Sequence, residues 1–303
     1  MPTWKEVFAK GREFSGGVVF AGADDEDVLK AAVTLLKEFK GSVFLTSTTS
    51  VIDKVNRVAD DLRVEVDLSR VEEVILDNEE DMLNEAVKLA SRKGVLAKGM
   101  VHTAKFLKAV FTKQNGLRRD GDVFSHLGVF KWNDPESGYE RIIGLSDAAI
   151  NPKPNLELKI KIIDNAAKAF VSMGFENPKI ALLAAVETVN PAMPETLDAA
   201  YLSKMSDRGQ IKWQVEGPLA LDNAVNRGAA EKKKIRGKVK GDADILIASE
   251  IAAANMLYKS FTFVAGLEMA GIVVGGRNPF VLTSRADSWE HKVKSVLLAC
   301  AVV

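Results

Sequence analysis

The feature that most constrains this chain is its alternation of short apolar runs with longer segments of helical period. VVFAGA (18–23) is long enough for a buried strand, and DDEDVLKAAVTLLKEFK (24–40) follows with helical spacing and acids in its first turn. SVFLTS (42–47) is a second strand. EEDMLNEAVKLASRKG (79–94) is a helix that stops on lysine and glycine. VLAKG (95–99) is a strand, HTAKFLKAVFTKQNG (102–116) a helix, and VFSHLGVF (123–130) and RIIGLSDA (141–148) two adjacent strands. The second half keeps the rhythm. NLELKIKIIDNAAKAFVSMG (155–174) is an amphipathic helix, followed by KIALLAAVE (179–187), a helix over about 192–207, IKWQVEG (211–217) and ADILIAS (243–249). A helix through NMLYKSFTFVAG (255–266), the strand MAGIVVGG (269–276) and a helix from Ser288 to the end complete it.

Strands alternating with helices predict an α/β protein whose mostly parallel sheets are flanked by helices. At 303 residues and 47% hydrophobic content the number of units predicts two α/β domains. The nearest boundary signal is KWNDPESGYER (131–141), polar and rich in turn residues. Lys plus Arg equals Asp plus Glu at 41 each, so no global field draws in nucleic acid or anionic lipid. The opening MPTWKEVFAKGREF has no apolar signal core, and the apolar runs fall short of the about 20 residues a membrane span needs. The single cysteine, Cys300, forms no internal disulfide and reads as a buried, inert thiol. These features predict a cytoplasmic protein by default.

Ligands of open parallel sheets bind at the carboxyl ends of strands, so the polar residues there are the candidates. Lys98 follows one strand and is succeeded by His102 and Thr103; Ser125 and His126 sit inside another; Asp147 follows GLS; Gly275 follows GIVV. Each alone is ordinary turn or cap chemistry. The densest stretch is VLTSRADSWEHK (281–292), which gathers Ser284, Arg285, Asp287, Glu290 and His291 where a strand passes into a helix. A helix N-terminus, a hydroxyl and a guanidinium fork together suit an oxyanion such as phosphate. The same letters also read as a capping box, with Asp287 as N-cap and Glu290 reaching back, in which case neither carboxylate is catalytic. There is no GxxxxGK[ST], GxGxxG, HExxH or CxxC, so nucleotide loops and a metal site are not expected. The basic run EKKKIRGKVK (231–240) reads as a solvated loop or as a helper for a polyphosphate ligand.

Several longer segments resemble the phosphate acetyl/butyryl transferase family, and more closely its phosphate butyryltransferase branch. They are KGMVHTAKFLKAV (98–110), LSDAAINPKPNLELK (145–159), ALLAAVETVNPAMPETLDAAYLSKMSDRGQI (181–211), VEGPLALDNAV (215–225), GDADILIAS (241–249) with NMLYK (255–259), and GIVVGGRNPFVLTSRADS (271–288). The resemblance runs from about Leu96 to the end, while the first 90 residues match in pattern only. It implies a fold like that of isocitrate and isopropylmalate dehydrogenases. The first domain (1–137 with 282–303) would be completed by the final helix, the second (138–281) inserted in it, and the active site would lie in the cleft between them.

The resemblance further implies reversible transfer of a short acyl group, butyryl favoured, from acyl-CoA to inorganic phosphate, giving acyl phosphate and CoA by direct attack in a ternary complex. Coenzyme A and phosphate would be substrates, with no permanently bound cofactor and no metal. A homodimer or larger homo-oligomer is implied, and no nucleic-acid or membrane partner. Ser284 and Arg285 match the family's Ser-Arg pair, and Thr103 and Lys108 its phosphate-contacting helix, with Lys108 standing where arginine is commoner. Lys98, Ser125, Asp147, Asn255, Gly275 and Asp287 complete the expected substrate contacts. The base is left among Glu290, His291 and Asp287, because Ala286-Asp287 replaces the Gly-Cys of acetyl-type members and His291 aligns with their aspartate. AAAN (252–255) also departs from the family's usual loop. The alternatives are a phosphate acetyltransferase, a non-catalytic relative that binds CoA or acyl phosphate, and a metal-dependent oxidoreductase, for which the aspartate cluster and adenine pattern are missing.

Overall fold

The computed structural model describes residues 1–282 and 288–303, and the chain divides into two compact units. The first joins Lys5–Asp122 to Ala270–Val303. It opens with helix α1 (Trp4–Arg12), then β1 (Gly17–Ala21), α2 (Glu26–Glu38), β2 (Ser42–Ser47), α3 (Ile52–Leu62), β3 (Val71–Ile75), α4 (Glu79–Lys93), β4 (Gly94–Lys98) and α5 (Thr103–Phe111). Local chemistry sets these boundaries. Asp25 caps α2 by accepting from the Asp27 and Val28 amides, with Glu26 and Asp27 favourably placed against the helix dipole. Asn78 caps α4 through the Asp81 amide, and Gly94 at φ 149° ends it. Helix α3 and strand β3 lie in the stretch where periodicity gave no signal. The strand β3 is a half-exposed edge strand, so it lacks the continuous apolar run of β1 and β4.

The second unit joins Met1–Trp4 to Val123–Met269. Its elements are β5 (Ser125–Asn133), β6 (Glu140–Ser146), α6 (Leu156–Ser172), β7 (Lys179–Leu183), α7 (Pro194–Asp207), β8 (Gln214–Leu219), the short α8 (Leu221–Val225) and α9 (Arg227–Lys232), β9 (Ile245–Ile247) and α10 (Ile251–Lys259). Helix α10 passes into a π-helical turn, Ser260–Val264. The strands run β5-β6-β9-β7-β8, with β5 antiparallel to β6 and the rest parallel. Their core holds Phe130, Leu145, Leu219 and Leu246, against which Tyr258 and Phe261 pack edge-on to Phe130. At the start of β6 the Arg141 fork donates to the Val225, Gly241 and Ala243 carbonyls at 3.0, 3.3 and 2.8 Å, tying the polar segment before β9 to the sheet.

The chain then returns to the first unit through β10 (Met269–Val274), β11 (Phe280–Val281) and α11 (Trp289–Val302). The order there is β3-β2-β1-β4-β11-β10; β11 pairs parallel to β4, and β10 antiparallel to β11. Helix α11 packs on α2, β4 and β11. Its carbonyl at Leu297 lies so close to α1 that a β-carbon on Gly11 would sit 2.1 Å from it. Glycine is therefore required at that crossing. Gly11→Ala is expected to destabilise the protein by about 1–3 kcal/mol through overpacking, read as a lower urea midpoint at unchanged m-value.

Candidate functional site

Strands β4 and β11 are parallel neighbours, with Leu96 opposite Phe280 and Ala97 opposite Val281. The segments that follow them therefore leave the sheet at one edge, about 4.8 Å apart where the strands end. Strand β4 ends on Lys98 and is followed by Gly99 and the start of α5; α11 is the next element after β11. Lys98 is 3% exposed, and its ammonium donates to the Gly99 carbonyl at 3.2 Å. Gly99 lies against the end of β1, where a β-carbon would meet the Gly22 carbonyl oxygen at 2.0 Å. That contact, with the Gly99 and Met100 amides bonded to Ala21 and Gly22 carbonyls, holds the loop that delivers Thr103.

Thr103 is the exposed first residue of α5, and the preceding His102 makes no side-chain cap to the helix. Among the described residues no side chain caps the first amides of α5, and such helix starts suit an anion. Lys108 does not share this face. Five residues on, it is displaced by about 7.5 Å along the helix and about 140° around it. Its ammonium lies 3.4 Å from Glu80 of α4, with both side chains largely exposed.

At α11 the N-cap is Ser288, whose hydroxyl accepts from the His291 amide at 3.4 Å, so the capping box read with Asp287 at its head is displaced by one residue. Glu290 is exposed in the first turn, and the Ser288 hydroxyl, then its own backbone amide, hold its carboxyl below the usual carboxylate range. His291 follows, half-buried. Ser284, Arg285 and Asp287, and with them most of the cluster read in 281–292, lie outside the described residues.

Gly275 lies elsewhere. Because β10 is antiparallel to β11, its carboxyl end faces the edge where β4 and β11 begin. There Asn278 donates to the Ala90 carbonyl of α4 at 2.8 Å, one turn before β4 starts. Gly275 itself, at φ 103°, serves the turn. The rule that polar residues after strands share one edge holds only for parallel strands, and β10 breaks it.

In the second unit Ser125, Asp147 and Asn255 do come together. Antiparallel pairing sets the start of β5 beside the end of β6, with Leu127 opposite Ser146. Ser125 is fully buried, and its hydroxyl receives Asn165 at 3.1 Å. Asp147, 4% exposed, accepts the His126, Ala149 and Ile150 amides on Oδ1 at 2.9, 3.0 and 3.1 Å. Its Oδ2 accepts the backbone and side-chain nitrogens of Asn151 at 3.0 and 2.5 Å. Asn255 donates from Nδ2 to the Ala148 carbonyl at 3.1 Å. Asn151 and Asn165 are parts of this cluster that motif reading missed. Their one signal is a polar residue inside an otherwise apolar or turn-rich segment.

Among the described residues no three His, Cys, Asp or Glu side chains gather to hold a metal, and no helix is long and apolar enough to cross a membrane. Cys300 is buried, and desolvation pushes its thiol well above the ordinary range, which matches the inert reading.

Comparison with known proteins places these features in context. A family model described as phosphate acetyl/butaryl transferase matches residues 95–300. The phosphate butyryltransferase of Clostridium acetobutylicum is 42% identical over 288 residues, 94% of this chain and 92% of its own. The phosphate acetyltransferase of Thermotoga maritima is 43% identical over 205 residues, 67% of this chain and 68% of its own. Among solved structures, a branched-chain phosphotransacylase from Enterococcus faecalis V583 superposes with a TM-score of 0.82 at 29% identity, covering 94% of this chain and 98% of that one.

The local chemistry of α11 is directly testable. Ser288→Ala should cost about 0.5–2 kcal/mol as a lost N-cap, measured by urea unfolding. It should also raise the Glu290 midpoint toward its ordinary value, read by carboxyl NMR titration. The sign follows from linkage: a depressed carboxyl adds stability above its unfolded value and loses it as pH falls through the folded one.

Proposed function

The chain belongs to the phosphate acetyl/butyryl transferase family, and from that premise we propose that it transfers a short acyl group, butyryl in preference to acetyl, between coenzyme A and inorganic phosphate. The observation that supports the reading is the parallel pairing of β4 with β11, which ends β11 beside the strand that leads into α5, whose N-cap residue His102 makes no side-chain cap. Identity to a phosphate butyryltransferase over nearly the whole chain supports butyryl.

A phosphate oxygen attacks the thioester carbonyl carbon, the C–S bond of the tetrahedral intermediate breaks, and CoA leaves as a thiolate that takes up a proton. In reverse, the thiol loses that proton and attacks the acyl phosphate, expelling phosphate. Phosphate is held by Thr103 with the first amides of α5, and by Ser284 and Arg285, which the family resemblance assigns to it. Lys98 adds positive charge behind this loop. The proton is handled by His291. Glu290, held low by its cap, is too weak a base to be well matched to a thiol. Transfer is direct, as the family resemblance implies, and the buried Cys300, with its thiolate disfavoured, offers no thiol acceptor.

We assign self-association to the face of α10. This nine-residue helix buries only Ala254 and leaves Met256 65% exposed, and in the π-helical turn that follows it Phe263 and Val264 are 71% and 86% exposed. A surface so apolar on a chain of zero net charge suits a second copy of itself.

Two measurements test these assignments. Butyryl-CoA mixed with phosphate and a thiol reagent should release CoA in a phosphate-dependent way, and Arg285→Ala should lose at least about 2 kcal/mol in kcat/KM for phosphate. Phosphate-independent release, or a variant of full activity, defeats the assignment. Phe263→Glu should shift the sedimentation coefficient toward the monomer.

A further inference from the structure

We propose that Asp147 is a positioning residue: it shapes the turn that presents Asn255 to an amide N–H of the acyl-CoA arm. This rests on the acyl-CoA reading above. Asp147 was expected among the substrate contacts, yet it has no capacity for one. An ionised carboxylate offers about four lone-pair sites. Here five donors from His126, Ala149, Ile150 and Asn151 converge on it, and it is 4% exposed. Whatever it contributes passes through the turn it holds.

That turn reaches α10 twice. The Pro152 carbonyl accepts the Ile251 amide at 3.0 Å, fixing the start of the helix. The Ala148 carbonyl accepts Asn255 Nδ2 at 3.1 Å. The second bond decides which way the Asn255 amide faces, because a flipped side chain would set Oδ1 against the carbonyl oxygen. Oδ1 and one remaining Nδ2 hydrogen are therefore offered away from the turn, and among the described residues Oδ1 accepts nothing. One acceptor beside one donor is the complement of a secondary amide. The pantetheine arm of CoA carries two such amides. Inorganic phosphate matches poorly, since an acceptor oxygen gains nothing from its ionised oxygens.

The test is a double-mutant cycle on Asp147→Asn and Asn255→Leu, with KM for butyryl-CoA, KM for phosphate and CoA affinity by calorimetry as readouts. Each single variant should weaken CoA affinity and raise KM for butyryl-CoA by about tenfold, the worth of one to two hydrogen bonds. KM for phosphate should stay within twofold, and the double variant should be no worse than Asn255→Leu alone. A merely structural Asp147 would lower the melting temperature and kcat without this split. Factors that multiply in the double variant, or unchanged CoA affinity in Asn255→Leu, overturn the proposal. If Asp147→Asn fails to fold, Asp147→Glu, which moves the charge by one methylene, takes its place. Calorimetry separates the two readings: wild-type protein that binds CoA without turnover ends the reaction reading and leaves the coupling measurable.

Discussion

Two register positions govern the first unit. Leu96 beside Phe280 and Ala97 beside Val281 join β4 to a strand that the chain reaches only after building the whole second unit. Pairs so distant in sequence are costly to close, because loop-closure entropy is met before the contact is gained. What makes the closure worthwhile is burial. Phe280 and Val281 are at most 1% exposed, Phe280 lies against the Phe106 ring of α5, and α11 covers the edge with Val293, Val296 and Leu297. The consequence for chemistry is geometric. The start of α5 and the end of β11 come to adjacent strand ends without any dedicated motif.

The polar cluster of the second unit is of a different kind. Around Asp147 every polar atom of the carboxylate is matched by a donor, so the charge is spent inside the protein. A buried carboxylate with its full complement of amide donors is strongly ordering, and breaking one partner leaves a desolvated group. The neutral Asn255 stands at the outer end of this network. At this end of the second unit the buried charge of Asp147 is taken up inside the protein, and the neutral Asn255 amide faces outward from it.

How much of this was legible depended on whether a feature is local. Strands β1, β2, β4 and β10 showed as apolar runs because they are buried on both faces, and α2, α4 and α6 carried recognisable caps or periodicity. The edge strand β3 did not show, since its half-exposed pattern, with Glu72 and Glu73 inside it, imitates a loop. Strand direction was the larger loss. Nothing local in MAGIVVGG says that β10 runs against β11, and this one reversal moves Gly275 to the far edge. Reversal at β5 has the opposite effect, bringing Ser125 to Asp147 although each is simply a polar residue near a strand end. The rotation that parts Thr103 from Lys108 was computable from helix geometry alone.

The start of α11 shows how one physical feature bears on both anion binding and the ionisation of a neighbouring carboxyl. A helix N-terminus favours negative charge, which suits a phosphate dianion or a developing oxyanion nearby. The same preference acts on Glu290, whose carboxyl the Ser288 hydroxyl and the local amide keep ionised below its usual range. A carboxylate stabilised in this way binds a proton weakly. The better the turn serves an anion, the worse Glu290 serves as the group that deprotonates a thiol. Anion binding and carboxylate base catalysis therefore compete within one turn of α11.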